Sequence, residues 1–219
     1  PADEEESLRR LERPFVKWGT PAAPQVQMAV EDAYKRLLKP SIENEFAAAA
    51  KARADEEAIA VFAANVRQLL LSPPLGAKRI MGIDPGFRTG CKVVCIDAQG
   101  NLLHNETIYP HEPKREWGRS VCRIAALADT YGIEAIAVGN GTAGRETEDL
   151  VREAHLDGVE VFVVSEDGAS VYSASDIARE EFPDKDVTVR GAVSIARRLA
   201  DPLAELVKID PKAIGGGQY

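Results

Sequence analysis

Asp84, at the end of the run Gly82-Ile83-Asp84-Pro85-Gly86, is the side chain of this sequence best placed for metal-dependent chemistry. A carboxylate fixed at a strand end can converge with acids from other elements on a divalent cation. Nucleases that use two cations need such clusters to bridge the attacking water, the scissile phosphate and the leaving oxygen. Asp-Pro-Gly is also an ordinary turn opener, in which Asp84 would only accept from nearby backbone N–H groups. Its place ahead of three short strands favours the site. A second feature is Gly139-Asn140-Gly141-Thr142, followed closely by Arg145. Glycines ahead of a helix leave N–H groups free for a phosphate, so Gly141, Thr142 and Arg145 are candidate nucleic-acid contacts; Thr142 as a plain helix cap is the alternative. Arg197 and Arg198 are two further candidates. They lie in a stretch, 187–219, with 5 Lys/Arg against 3 Asp/Glu.

Other reactive types point nowhere. Ser170, Ser173 and Ser175 lack the Gly-x-Ser-x-Gly elbow of a hydrolase nucleophile. His104, His111 and His155 are scattered and read as surface or turn residues. Cys91, Cys95 and Cys122 form no even framework and have no partners at metal-binding spacing. They read as buried apolar thiols of a cytoplasmic protein.

These residues need elements to position them. Residues 25–71 read as helix, with Val26, Val30, Ala33 and Leu37 on one face, interrupted at Pro40 and restarted from Ser41. Ser72-Pro73-Pro74-Leu75-Gly76 ends that region and marks a boundary. Beyond it the period changes. Strands are expected at Arg79–Ile83, Cys91–Ile96 and Leu102–Tyr109, then a helix with Trp117, Val121, Ile124, Ala128 and Tyr131 on one face. Strands at Ile133–Val138 and Val159–Val164 alternate with a helix at Arg145–Leu156. Helical stretches around Ser175–Glu181 and Ala192–Val207 complete the chain. The order βββαβαβα predicts an α/β domain of the RNase H-like type over 78–210: a mixed five-stranded sheet with helices on both faces, preceded by an all-helical segment over 1–77. Residues 211–219 would begin a following segment.

Long motifs now resemble those of one family. Gly82-Ile83-Asp84-Pro85-Gly86-Phe87-Arg88-Thr89-Gly90-Cys91-Lys92 is similar to the first motif of the YqgF domain of Tex transcription accessory proteins. Gly139 to Glu148, Ser165 to Ser175 and Arg190 to Leu206 resemble the second, third and fourth, in order. The resemblance implies nucleic-acid binding within a large helical protein that continues into helix-hairpin-helix and OB-fold modules. YqgF-type nucleases carry an acid after strand one, a Glu after strand five and an Asp on the last helix. The matching positions are Asp84, Glu166 and Asp201, which would be both the catalytic residues and the ligands of Mg²⁺ or Mn²⁺ if the domain cleaves. The flanks depart from the pattern: Ser165 and Asp167 stand where those nucleases tend to show Asp and Arg, and Pro202 follows Asp201. An N-cap role for Asp201 is the plainer alternative.

The 219 residues carry a net charge of -8, which argues against a wholly electrostatic nucleic-acid binder. At 45% hydrophobic and 28% charged residues the chain is that of a globular protein, and no run approaches a membrane span. Its start at Pro1 without a Met and its Gly-rich end point to a piece of a longer chain. Three functions remain open on these grounds, one of them a purely structural domain that binds only neighbouring domains or RNA polymerase. The favoured one is a non-catalytic nucleic-acid-binding module that needs no cofactor, with RNA or DNA, the rest of its parent protein and RNA polymerase as expected partners. The alternative is a metal-dependent nuclease or Holliday-junction resolvase.

Overall fold

A computed structural model describes residues 3–214. The chain divides into two compact units, Pro1–Val61 and Phe62–Tyr219. The division falls inside a long helix, ahead of the Ser72–Gly76 turn that the sequence marks as a boundary.

The first unit is helical: α1 (Glu4–Phe15), α2 (Ala23–Ala33) and the start of α3 (Lys39–Leu70). The periodicity set helix bounds only over 25–71; α1, within the helical segment expected over 1–77, is capped by the Asp3 carboxylate accepting from Glu6 N. Pro40 does not break the helix either. A π-helical turn, Tyr34–Leu38, joins α2 to α3, with Lys39 N donating to Tyr34 O. This widened turn leaves Pro40 in the first turn of α3, where its missing N–H and its ring do least harm. Phe15, Trp18, Met28 and Phe46 stay more than half exposed.

The second unit holds the sheet. Its strands are β1 (Ile80–Asp84), β2 (Cys91–Ile96), β3 (Leu102–Ile108), β4 (Ala135–Gly139) and β5 (Glu160–Val164), in spatial order β3-β2-β1-β4-β5. β1 is antiparallel to β2 and β2 to β3, whereas β4 pairs parallel with β1 and β5 parallel with β4. The expected mixed sheet is present, and β1 at its centre delivers Asp84 to the edge where β4 and β5 also end. Between the strands lie α4 (Trp117–Tyr131) and α5 (Gly144–Glu153); beyond them come α6 (Ala169–Ala174), α7 (Asp176–Glu181), α8 (Val187–Ala200) and α9 (Pro202–Leu206).

Side chains on the central strands alternate between two cores, as the period-two pleat requires. Met81, Ile83, Val93, Ile136 and Val138 face Ile124 and Leu127 of α4 and Leu150 of α5. Ile80, Val94, Ala135 and Ala137 face Ala192, Val193, Ile195 and Ala196 of α8. Helices therefore cover both faces. Small residues let α8 lie close to the sheet. A Cβ on Gly82 would come within 2.7 Å of both Ala192 O and Ala196 Cβ, so glycine is required at that crossing.

Two differences from the sequence reading matter for the site. A short helix, α6, directly follows the Glu166 loop, where none was expected. The last helix, read as Ala192–Val207, is instead two. α8 starts at an Asp186 cap, whose Oδ1 accepts from Thr188 N and Val189 N. It stops at Asp201, because Pro202 has no N–H to continue the ladder and restarts the chain as the first residue of α9.

Candidate functional site

Asp84 and Glu166 meet at the carboxyl ends of β1 and β5. They line one cleft of about 240 Å³ together with Ser170, Ser173, Thr188 and Gly191. Burial, and then the neighbouring Glu166 charge, push the Asp84 carboxyl up to about 6, opposed by the Lys92 ammonium. Lys92 sits directly across the antiparallel pair from Asp84, and its Nζ donates to Thr89 O at 2.9 Å. Among the described residues no turn hydrogen bond offsets the burial of the Asp84 carboxylate. The plain turn-opener role therefore does not describe it.

Glu166 is held by its surroundings on every side. Its backbone N donates to Asn140 Oδ1 at 3.1 Å, and Asn140 N donates to Val164 O at 3.0 Å, which locks the ends of β4 and β5 together. The guanidinium of Arg198 donates through Nη1 to Ser165 O and Asp167 O, at 2.9 and 2.6 Å, fixing the loop on both sides of Glu166. The glycine loop packs against the carboxylate itself. A Cβ on Gly139 would lie 2.7 Å from Glu166 Oε2, and one on Gly141 only 1.7 Å from Oε1. Glycine at 139 and 141 thus makes the room the carboxylate occupies. Its Oε2 is buried and has no hydrogen-bond partner among the described residues.

The third acid expected from sequence lies elsewhere. Asp201 is not part of the cleft wall; it is exposed, and its Oδ1 accepts from Ala204 N at 3.1 Å as the N-cap of α9. The part of α8 that faces Asp84 is Gly191, whose Cβ would stand 3.8 Å from Asp84 Oδ2. Ten helical residues, or about 15 Å of axial rise, separate that point from Asp201. Pro202 ended the helix at a capping aspartate instead of aiming that side chain inward. Among the described residues no group of three His, Cys, Asp or Glu side chains could hold a metal ion. The cleft has two acids, Asp84 and Glu166, that could ligate a single hard cation with water completing its shell. It does not offer the ligands that a bridged pair of cations needs.

The other candidates also sort by contact. Arg197 gives Nε and Nη2 to Gly100 O at 2.9 and 2.7 Å and pairs with Glu181 at 2.6 Å. Arg198 is 4% exposed. Both guanidiniums are thus turned into the domain, which removes them from any phosphate-facing surface. Gly141 is taken up by Glu166. Thr142 and Arg145 remain exposed beside α5, whose N-cap is Ala143 in a left-handed conformation with φ +67°, not Thr142. Sequence reasoning missed Thr188 and Gly191. The signal available was the small-residue face of α8, which has to pass close over β1.

The sheet order and the carboxylate cleft at the ends of β1 and β5 define an RNase H-like α/β domain. Residues 78–200, more than half the chain, match the Tex protein YqgF-like domain. The chain belongs to the Tex family. It is 52% identical over 209 residues to the protein tex of Bordetella pertussis, a match covering 94% of this chain and 26% of that protein. A Bacillus subtilis protein, YdcI, is 47% identical over 95% of this chain and 30% of its own length. The human S1 RNA-binding domain-containing protein 1 is 42% identical over 87% of this chain and 20% of its own. The chain thus spans less than a third of the length of these relatives. Among solved structures, Thermus thermophilus RuvC overlaps 59% of this chain and 95% of its own, at 23% identity and a TM-score of 0.41. No helix among the described residues is long and apolar enough to cross a membrane.

Proposed function

We propose that this chain is a nucleic-acid-binding module of a transcription accessory protein, and that its RNase H-like domain is a scaffold and binding surface rather than a nuclease. One observation carries the non-catalytic half: the last-helix acid, Asp201, caps α9, while glycine occupies the turn of α8 that faces Asp84. Two-metal phosphodiester cleavage loses its third protein ligand by that arrangement, and misplacement of such a group by even ~1 Å weakens catalysis severely. The nucleic-acid half draws on the family. Relatives carry the names transcriptional accessory protein Tex and S1 RNA-binding domain-containing protein 1. The exposed Thr142 and Arg145 at the start of α5 are the phosphate contacts this reading keeps. RNA polymerase and the remaining parts of the parent protein are the protein partners it assigns, in the cytoplasm.

A second reading is supported by Glu166 Oε2 and the raised Asp84, because a carboxylate oxygen without a protein hydrogen-bond partner beside a second acid is chemically suited to a cation. In that reading a single Mg²⁺ or Mn²⁺ would sit on Asp84 and Glu166. The deciding assay measures binding and cleavage of single-stranded RNA, duplex DNA and four-way junctions with Mg²⁺ or Mn²⁺. Wild type is set beside Asp84→Asn and Glu166→Gln. Binding without cleavage is expected. Cleavage by wild type that is lost in both variants would establish the nuclease instead.

A further inference from the structure

Three residues past Asp84, the chain carries an exposed aromatic ring that the carboxylate cleft does not use. Phe87 is 42% exposed and lines an open cleft of about 840 Å³ with Arg88, His111, Glu112, Pro113 and Arg115. Its ring is held but not covered. His111 meets it edge-on with centroids 5.2 Å apart, and His111 in turn meets Trp117 at 6.2 Å. Burial holds the His111 imidazole below its usual value, so the ring is a neutral aromatic wall at neutral pH.

The charge around this wall is arranged in pieces that match a nucleotide strand. The Glu112 carboxylate is bonded by Arg115, so the acid in the cleft wall is already neutralised. Arg88 is exposed, and among the described residues it has neither a hydrogen bond nor an ion pair. On the far side, His111 Nε2 lies 3.3 Å from Thr147 Oγ1 of α5, which fixes the ring against that helix. A π face with a free guanidinium beside it fits one unpaired base and its neighbouring phosphate.

We propose that the Phe87–His111 cleft is a stacking site for one unpaired base of single-stranded nucleic acid, with Arg88 on the flanking phosphate. The inference rests on the nucleic-acid reading above and assigns it a place on the domain. Base stacking is tolerant of sequence, so the site carries no base preference of its own.

The test is binding of the 219-residue chain to fluorescein-labelled oligouridylate and oligothymidylate of about 12 nucleotides, read by anisotropy at low salt. Phe87→Ala should weaken binding about tenfold or more, the usual consequence of losing one stacked base. Phe87→Leu keeps the apolar bulk without the ring and should lose as much, whereas Phe87→Trp should keep wild-type affinity. Arg88→Gln should weaken both oligonucleotides alike and reduce the salt slope by about one. Circular dichroism checks that each variant is folded; at this exposed position all are expected to be. Wild-type affinity in Phe87→Ala or Phe87→Leu would overturn the stacking site while leaving the nucleic-acid reading intact. Failure of the wild type to bind any strand would overturn both.

Discussion

Replacing Asp84 by Asn should make this protein more stable at neutral pH, although it removes a charge from the centre of the candidate site. The structure supplies the magnitude. Asp84 titrates near 6 in the fold and near 3.8 as an unperturbed side chain, because burial and the Glu166 charge disfavour its ionised form. Between those two values the native state holds the proton that the unfolded chain has already released, so stability falls as pH rises through the window. At 1.36 kcal/mol per pKa unit, the native state above pH 6 carries a penalty of up to about 3 kcal/mol. Asn has the same shape and no charge to bury. Urea unfolding of wild type and Asp84→Asn should therefore differ by up to about 3 kcal/mol in favour of the variant near pH 7.5, shrinking to about 0.5 kcal/mol near pH 4. A variant less stable than wild type near pH 7.5 would refute the reasoning. So would a difference that does not depend on pH, since the burial cost and the Glu166 repulsion it removes exist only while Asp84 is ionised.

Asp201→Ala removes the α9 cap and should cost about 1 kcal/mol in the same unfolding assay, without altering the response of the protein's melting temperature to Mn²⁺. Loss of the Mn²⁺ response would restore Asp201 to the site. Gly141→Ala puts a methyl where Glu166 Oε1 now lies, so the carboxylate must swing away and the Asp84 pKa should fall in part, while burial, the larger cause, still holds it raised. The Asp84 side-chain carbonyl shift, followed by NMR over pH, reads this directly; an unchanged titration would mean that Glu166 is not the neighbour that raises it. Gly82→Ala drives a Cβ into Ala192 O, which is backbone and cannot step aside, and should destabilise by roughly 1–3 kcal/mol in urea titration.

Much of the sheet was legible because strand periodicity survives in short runs. Cys91–Ile96 and the Trp117–Tyr131 helix lie at the bounds the pattern gave, and the mixed order follows from three adjacent strands ahead of the first helix. Asp84 was legible for the same reason: it ends the strand that the topology places centrally. The α8 face was less so. Arg197 and Arg198 look like a solvated basic pair in sequence, but α8 is covered on most sides: Arg197 donates to the Gly100 carbonyl, and Arg198 donates through Nη1 to the Ser165 and Asp167 carbonyls of a neighbouring loop. Spacing along one helix says nothing of carbonyls brought in from other elements. Asp201 was ambiguous in the sequence because an aspartate before proline is equally a metal-site acid and a helix cap; the proline decided the outcome through its missing N–H. The π-helical turn that lets Pro40 into a continuous helix leaves no mark that a 3.6-residue period would detect.

The claim that Asp84 and Glu166 share a cleft without Asp201 is tested most directly by crystals of this chain soaked in Mn²⁺ and read by anomalous scattering. One ion at most is expected, bound by Asp84 and Glu166 with water completing its shell, while Asp201 still caps α9. Two ions bridged across the cleft, with Asp201 drawn in as a ligand, would contradict the account and return the domain to the metal-dependent nucleases.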